Sequence, residues 1–472
     1  MTVLCLVGEH VPKRPNSFHV IVELVRVKRA MKIQKMDEVL LLPDMTSPAK
    51  VAAMKLLQTV ATFSWFAGDK SFLAISSMRM FGLTLKYGIC RNSPYALAAF
   101  GIVVGILGET DTAYELGRVS LELLKRPHTL SCYARSIAVI FTFLQHLKQP
   151  LVGCLDSIID GYHTGMKSGE IEGAAMCLCP YAFAGLYLGK KLEVVVAEIA
   201  GFRQTYREIF SQHFTIQSLI PVHQFALNMM GLSENPLILN GDAMNENDFL
   251  AAVRQTSNDV AEEVVHIMRM LLFYIMNEVE DANAEVPTLD LGASRGMHLA
   301  FPFTVMFAGL VMIAMARKTR KQKFCWKADV FIRKMRKLAK VGDINVPPCL
   351  ELLQAERASL RGKGSVAEVK KAFDTTVSVA ARSGFSVVEA ITNERAGEYM
   401  LSNGDSFWAT SYLSRAYALY GEWGATAKNS QLMDKYSFLA EPRAELQTRR
   451  DLSLGDRFSS RRLGINTHRV SF

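Results

Sequence analysis

The residues that could do chemistry are few. GLYLGKK, residues 185–191, comes nearest to a phosphate-binding loop. Such a loop needs Gly, four residues, then Gly-Lys-Ser/Thr, because loop amides and the lysine hold the phosphates while the hydroxyl reaches magnesium. Here three residues separate the glycines, and Lys191 stands where the hydroxyl should be. GIVVGILG, from Gly101, is not GxGxxG and follows a helical pattern instead of a strand, so close helix packing is its ordinary reading. His213 and His223 lie ten residues apart and His266 sits in an apolar helix, none with a second ligand at a spacing such as HExxH, so core or surface roles are expected. A phospho-accepting role for His266 lacks charged context in VVHIMRM. The acid pairs Glu262 and Glu263, and Glu278 and Glu280, read as solubilising outward faces. Kinase HRD and DFG signatures are absent, and no GxSxG elbow is expected. No catalytic, cofactor-binding or metal-binding residue is therefore expected, and the chain reads as no enzyme.

Charge supplies the one cluster worth following. The net +9 would suggest an acidic partner if it were spread evenly, but it is local. Residues 317–340 hold eleven Lys or Arg against the single acid Asp329, and residues 441–472 hold seven Arg against four acids. With this +10 and +3 set aside, the remainder carries −4. The candidate basic patch is Arg317, Lys318, Arg320, Lys321, Lys323, Arg333, Lys334, Arg336, Lys337 and Lys340. Solvated helix faces and tails collect such charge without binding anything, and that reading is preferred to phosphate, RNA or anionic-lipid binding. No aromatic residues interleave as stacking platforms except Phe324, Trp326 and Phe331, which are assigned to the core.

The elements that must position these residues are helices. Apolar residues recur at spacings of three and four, as at Leu116, Val119 and Leu123, or Val260, Val264, Ile267, Met268 and Leu271. Prolines fall mostly between such segments, at Pro94, Pro127, Pro150, Pro221, Pro236, Pro287 and the pair Pro347 and Pro348. Turn signals at Gly108, Lys148, Gly189 and Gly231, and again at Arg361 and Ser402, lie about forty residues apart. That is one helical hairpin per repeat. A hairpin cannot bury its apolar face alone, so consecutive hairpins must stack through contacts between neighbours. Small residues at Ala358, Ala372, Ala380, Ala396, Ala409 and Ala416 stand where tetratricopeptide helices approach closely, and Trp408 and Trp423 would fill gaps between hairpins. The expected fold is all-α, an α-solenoid of tetratricopeptide-like hairpins, with residues 1–245 continuous with residues 246–436.

One segment invites a membrane reading. LAFPFTVMFAGLVMIAMA, residues 299–316, has no charge and is followed by a basic flank. SPYALAAFGIVVGILG and AMCLCPYAFAGLYLG are similarly apolar and also precede repeating turns. The inner helix of a solenoid is hydrophobic all round, so a buried helix is preferred to a membrane span.

Residues 351–436, with LLQAERASLRG, ARSGF followed by EAITNERAGEY, and SYLSRAYALYGEWGATAK, carry a more specific signal. They resemble the end of the helical-repeat region in very large signalling proteins that join a serine/threonine kinase-like domain and a predicted ATPase to sensor, histidine kinase or nucleotide cyclase modules. LLLPDMTSPAKVAAMKLL, LTLKYGICRNSPYALAAFGIVVG and GETDTAYELGRVSLELL resemble the same family, so the likeness covers nearly the whole chain to about Tyr436. It implies a helical module that binds other domains and passes a signal between an ATPase and an output module. The family's catalytic parts have no counterpart here, so no catalytic residue is carried over.

Eight cysteines, with only Cys177 and Cys179 close together, give neither a disulfide framework nor zinc spacing, and reduced thiols in the cytoplasm are expected. The N-terminal MTVLCLVGEHVPKRP lacks a preceding basic segment and a small-residue cleavage site, so secretion is not expected. Residues 437–472 are polar and Arg-rich, which points to a disordered basic tail, and the family would usually continue into an output domain there. The function these readings imply is a non-catalytic scaffold or regulatory module for protein partners in signalling, a kinase or P-loop ATPase foremost, with nucleic acid and membrane disfavoured. The other readings are a split or truncated part of an ATPase/histidine kinase protein, and a membrane protein anchored by residues 299–316.

Overall fold

A computed structural model describes residues 2–33, 36–209, 214–292, 296–361 and 365–439. His213 and residues 440–472, which include nearly all of the expected tail, lie outside the described residues. The described chain is all-α. Its only β feature is an isolated bridge between Asp44 and Ile89.

Helices follow one another as antiparallel pairs, among them Pro48–Phe66 with Lys70–Tyr87, Ser93–Ile106 with Thr110–Leu123, Leu151–Ser168 with Ile171–Leu188, Phe301–Thr319 with Gln322–Lys340, and Ser386–Ser402 with Ser406–Trp423. Contacts are densest between sequence neighbours, the pattern of a helical solenoid. The turns inside these pairs and at Asn277 share one device, a residue with positive φ: Gly68, Gly108, Gly169, Asn277, Arg320 and Gly404. A second series at Gly88, Gly189, Gly231, Ser257, Gly342, Gly384 and Gly424 turns the chain from one pair to the next. Glycine takes this left-handed backbone without a Cβ penalty, which ends each helix sharply. Several second helices then start on a side-chain cap: Asp69 accepts from Phe72 N, Asp405 from Trp408 N, and Ser365 and Glu368 form a reciprocal capping box. Each such cap is worth about 1 kcal/mol.

Close approach of chain from outside the pair explains Gly101 and Gly105 of GIVVGILG, while Gly108 is the left-handed turn residue. A Cβ on Gly101 would sit 2.8 Å from Leu144 Cδ1, and one on Gly105 only 2.1 Å from Met297 Cε. GLYLGKK is equally ordinary: Gly189 is the left-handed end of Ile171–Leu188, and Lys190 pairs with Glu198 at 2.6 Å.

Neighbour stacking is not the whole architecture, because the chain also curls back on itself. Thr110 Oγ1 donates to Val341 O at 2.9 Å, and Ser386 Oγ to Leu188 O at 2.9 Å. Asn345 Nδ2 donates to His146 O at 2.6 Å, while Leu151 N donates to Asn345 Oδ1 at 2.9 Å. Phe301–Thr319 lies at the centre of this closure. Its Phe303 stacks on Tyr187 at 4.2 Å and packs on Phe385 at 5.1 Å, its Phe307 meets Tyr274 at 5.7 Å, and its Gly309 admits Leu353. Every residue from Phe301 to Ala316 is buried. Pro302 stands in the first turn, where its missing N–H costs nothing, and Thr304 Oγ1 donates to Ala300 O. Among the described residues, this helix and Ile171–Leu188 are long and apolar enough to cross a membrane by length and composition, and 89% of the window in Phe301–Thr319 is buried inside the protein.

Candidate interaction surface

The basic residues divide into those the fold uses and those it leaves outward. Helix Gln322–Lys340 buries Phe324, Ala328, Ile332 and Met335, one face at helical spacing. The opposite face presents Trp326, Val330, Arg333, Lys337 and Lys340 as one stripe, with Lys323 and Lys327 beside it. Trp326 is 65% exposed and Val330 47% exposed, so the assignment of Trp326 to the core is corrected. Phe324 is buried and Phe331 half-buried. Trp326 misleads because it lies next to core residues in sequence, yet on this helix it points away from Phe324, Ala328 and Ile332.

Five of the ten candidate cations have internal partners. Arg317 reaches Glu356 and Ser359, both at 2.9 Å, and Lys318 pairs with Glu280. Lys334 donates to Leu291 O and lies 5.7 Å from the centre of the Phe301 ring, and burial lowers its pKa. Arg336 bonds Gln354 at 3.1 Å, and Arg333 bonds Asp329 O at 3.2 Å. Arg320 is the left-handed residue that ends Phe301–Thr319, and Lys321 is the N-cap of the next helix. Arg317 and Lys318 in one last turn, and Lys337 and Lys340 in another, complement the negative ends of the helix dipoles. That accounts for part of the local charge without any ligand. Arg320, Lys321, Lys327, Lys337 and Lys340 have no acidic partner among the described residues.

Beside this face, Trp326, Arg333 and Arg336 meet Gln354 and Arg357 around a polar notch of about 550 Å³. Its floor is fixed by Arg357, which makes a two-pronged contact with Asp329 at 2.9 and 3.1 Å; those hydrogen bonds raise the guanidinium pKa. The surface therefore offers a rigid guanidinium-lined notch, one large exposed indole and several uncommitted ammonium groups.

The other sequence candidates are structural. His266 Nδ1 lies 2.7 Å from Glu285 Oε2, and Arg269 holds the other oxygen of that carboxylate at 2.8 Å. His223 is buried 3.0 Å from Arg203, and burial together with that charge lowers its pKa to about 4. Glu262 and Glu263 are not simply outward: Glu262 pairs with Arg254 at 2.8 Å and both line an internal cleft. Trp423 is buried, while Trp408 stays 39% exposed under Lys370, 3.6 Å above its ring. No group of three or more metal-ligating side chains occurs among the described residues. The expectation that the chain holds no GxSxG is corrected: GASRG, residues 292–296, has that spacing. Its Ala293, Ser294 and Arg295 lie outside the described residues, and among the described residues no strand precedes it of the kind a nucleophile elbow requires. In comparisons with known proteins, no family model and no curated protein matches the chain.

Proposed function

We propose that the chain is a non-catalytic, tetratricopeptide-like scaffold that holds a protein partner, and that the outward face of Gln322–Lys340 receives an acidic segment of that partner. The observation that carries this reading is an exposed Trp326 and Val330 at the centre of a stripe of cations, several of them without an internal acid. Interfaces concentrate their energy in a few aromatic and arginine residues ringed by polar ones, and charge complementarity speeds encounter and selects the partner. The resemblance to kinase–ATPase signalling proteins makes a kinase or P-loop ATPase in the cytoplasm the first partner to seek.

The test is affinity purification of the tagged chain from its native cytosol with lysine cross-linking, beside a variant carrying Trp326→Ala, Lys323→Glu, Arg333→Glu and Lys337→Glu. A captured kinase or ATPase cross-linked through Lys327 or Lys340, and lost from the variant, is the expected result. Capture that the variant leaves unchanged would remove this face from the reading. ATP hydrolysis by the purified chain, abolished by a point change, would overturn the non-catalytic role. A second reading, a split or truncated share of such a signalling protein, rests on how much of the chain the resemblance covers; constant co-purification with one P-loop subunit would favour it. A membrane anchor at residues 299–316 would instead keep the chain in the pellet under alkaline carbonate.

A further inference from the structure

Helix Ser17–Ile33 packs on Lys70–Tyr87 with Val27 buried and Val20, Leu24 and Met31 half-buried. Glu23, its one acid, is turned to the same side and buried, 3.3 Å from Arg79. The opposite face is apolar as well. Phe18, Ile21, Val22 and Val25 recur at i, i+3, i+4 and i+7, and their exposures run from 43% to 69%. An outer helix of a solenoid ordinarily turns a polar face to water, so a bare apolar stripe here marks a surface that meets something.

Cations border the stripe. At about 3.6 residues per turn, Arg26 and Lys28 fall on its two edges and Arg29 in line with it beyond Val25, while Lys13 and Arg14 precede its first residue. Lys13, Arg14 and Arg29 are exposed and have no acidic partner among the described residues. Arg26 is exposed and reaches Glu23 only at 3.7 Å, and Lys28 pairs with Glu109. Asn16 Oδ1 accepts from His19 N at 3.2 Å, so the helix start is capped and the stripe is in place before it meets a partner. Apolar side chains bordered by cations, with the one acid turned inward, suit the boundary between headgroups and acyl chains of an anionic bilayer. There the stripe enters the boundary while Lys and Arg stems carry their charges to the phosphates. A second copy docked stripe to stripe would instead bring two sets of cations together with no acid between them.

We propose that Ser17–Ile33 lies on the surface of an anionic lipid bilayer, with Phe18, Ile21, Val22 and Val25 in the headgroup–acyl boundary and Lys13, Arg14, Arg26 and Arg29 at lipid phosphates. The contact is peripheral. It needs neither a spanning helix at residues 299–316 nor the basic face of Gln322–Lys340, so it stands or falls independently of the protein partner.

Flotation of the full chain with vesicles of phosphatidylcholine alone, and of phosphatidylcholine with roughly 30% phosphatidylglycerol, tests it. The anionic vesicles should take up the chain at least tenfold more strongly, and high salt should remove most of that difference. Phe18→Glu with Val22→Glu, at exposed positions, should cut uptake at least tenfold. Arg14→Glu with Arg29→Glu should bring the two vesicle types within threefold of each other. Lys323→Glu, Arg333→Glu and Lys337→Glu together, on the other basic face, should leave uptake within twofold. Phe18→Trp reads the contact directly: the fluorescence it adds should shift to the blue on anionic vesicles and be quenched by bromine on the acyl chains. No uptake by anionic vesicles, unchanged uptake of the Phe18→Glu, Val22→Glu chain, loss through the other basic face, or added fluorescence that brominated lipid leaves unquenched would overturn the proposal. A native chain that is dimeric without lipid and made monomeric by Val22→Glu would also overturn it, giving the stripe to a second copy.

Discussion

Tyr187 and Phe303 stack with ring centres 4.2 Å apart and 6° between their planes, joining Ile171–Leu188 to Phe301–Thr319 across the closed curl. A linear stack of hairpins would leave one side of such a helix to solvent. Here the returning chain covers it, which is why an uninterrupted apolar run is compatible with a protein interior.

Phe303 should therefore be among the costliest positions to truncate. Phe303→Ala removes contacts to both Tyr187 and Phe385 and should destabilise the chain by about 3–5 kcal/mol. Phe407, 70% exposed on an outer helix, is the control, and its truncation should cost under about 0.5 kcal/mol. Urea unfolding of the two variants decides the matter, and equal midpoints would show that Phe301–Thr319 does not hold the closure together.

What the sequence disclosed and what it hid divide along the same line. Helical periodicity and glycine turns are local, so the hairpins and the turns at Gly108, Gly189 and Gly231 were legible. Asn277 and Arg320 take the same left-handed backbone without being glycine, and those two repeats carried no glycine signal. The return contacts from Thr110 to Val341 and from Asn345 to His146 depend on the curvature summed over many hairpins, which no local pattern encodes. The basic cluster was legible as composition. Its division into internally paired Arg317 and Lys318 and outward Lys337 and Lys340 required knowing what packs beside each. The cleft that Glu262 and Glu263 line was not legible, because Trp65, Ala99 and Glu262 meet in it from helices far apart in the chain.

A second prediction concerns the seam where residues 343–345 meet the turn at 146–149. Asn345 N donates to Asp343 Oδ1 at 3.0 Å, and burial pushes the Asp343 carboxyl up to about 7 despite the nearby Lys148 charge. Burial pushes His146 the other way, down to about 4. The signs oppose. The folded chain holds a proton on Asp343 that the unfolded chain has released, so this contribution is present at low pH and is lost as pH rises from about 4 through 7. His146 is kept neutral while the unfolded chain takes up a proton, so its contribution is lost as pH falls from about 6.5 toward 4. Asp343→Asn should cancel only the Asp343 contribution. Relative to the native chain the variant should gain stability between pH 4 and 7, with a slope of at most about 1.4 kcal/mol per pH unit. Denaturant unfolding at several pH values would reveal it, and parallel stability curves for the two proteins would rule it out.

The last prediction turns on Lys428, which reads as a surface residue in GATAKNS yet is fully buried. Its three donors are all used: Ile275 O at 2.7 Å, Glu394 Oε1 at 2.7 Å and Gln431 Oε1 at 2.9 Å. Burial lowers its pKa, opposed by the Glu394 charge. Glu394 also accepts from Tyr420 Oη at 2.7 Å, and Arg395 beside it holds Glu398 at 2.6 Å. The ammonium group thus fastens Thr426–Lys435 to the end of Asp259–Ile275, joining the last helix to a much earlier one. Replacing one partner leaves a buried charge and carbonyl uncompensated, whereas replacing both removes the charges together. Lys428→Met should accordingly cost about 3–5 kcal/mol, and Lys428→Met with Glu394→Gln should cost less than the two single changes summed, by about 0.5–3 kcal/mol. Unfolding of all four proteins in one buffer supplies the cycle. Additive costs would mean that the two residues act separately and that the last hairpin is held by its apolar contacts alone.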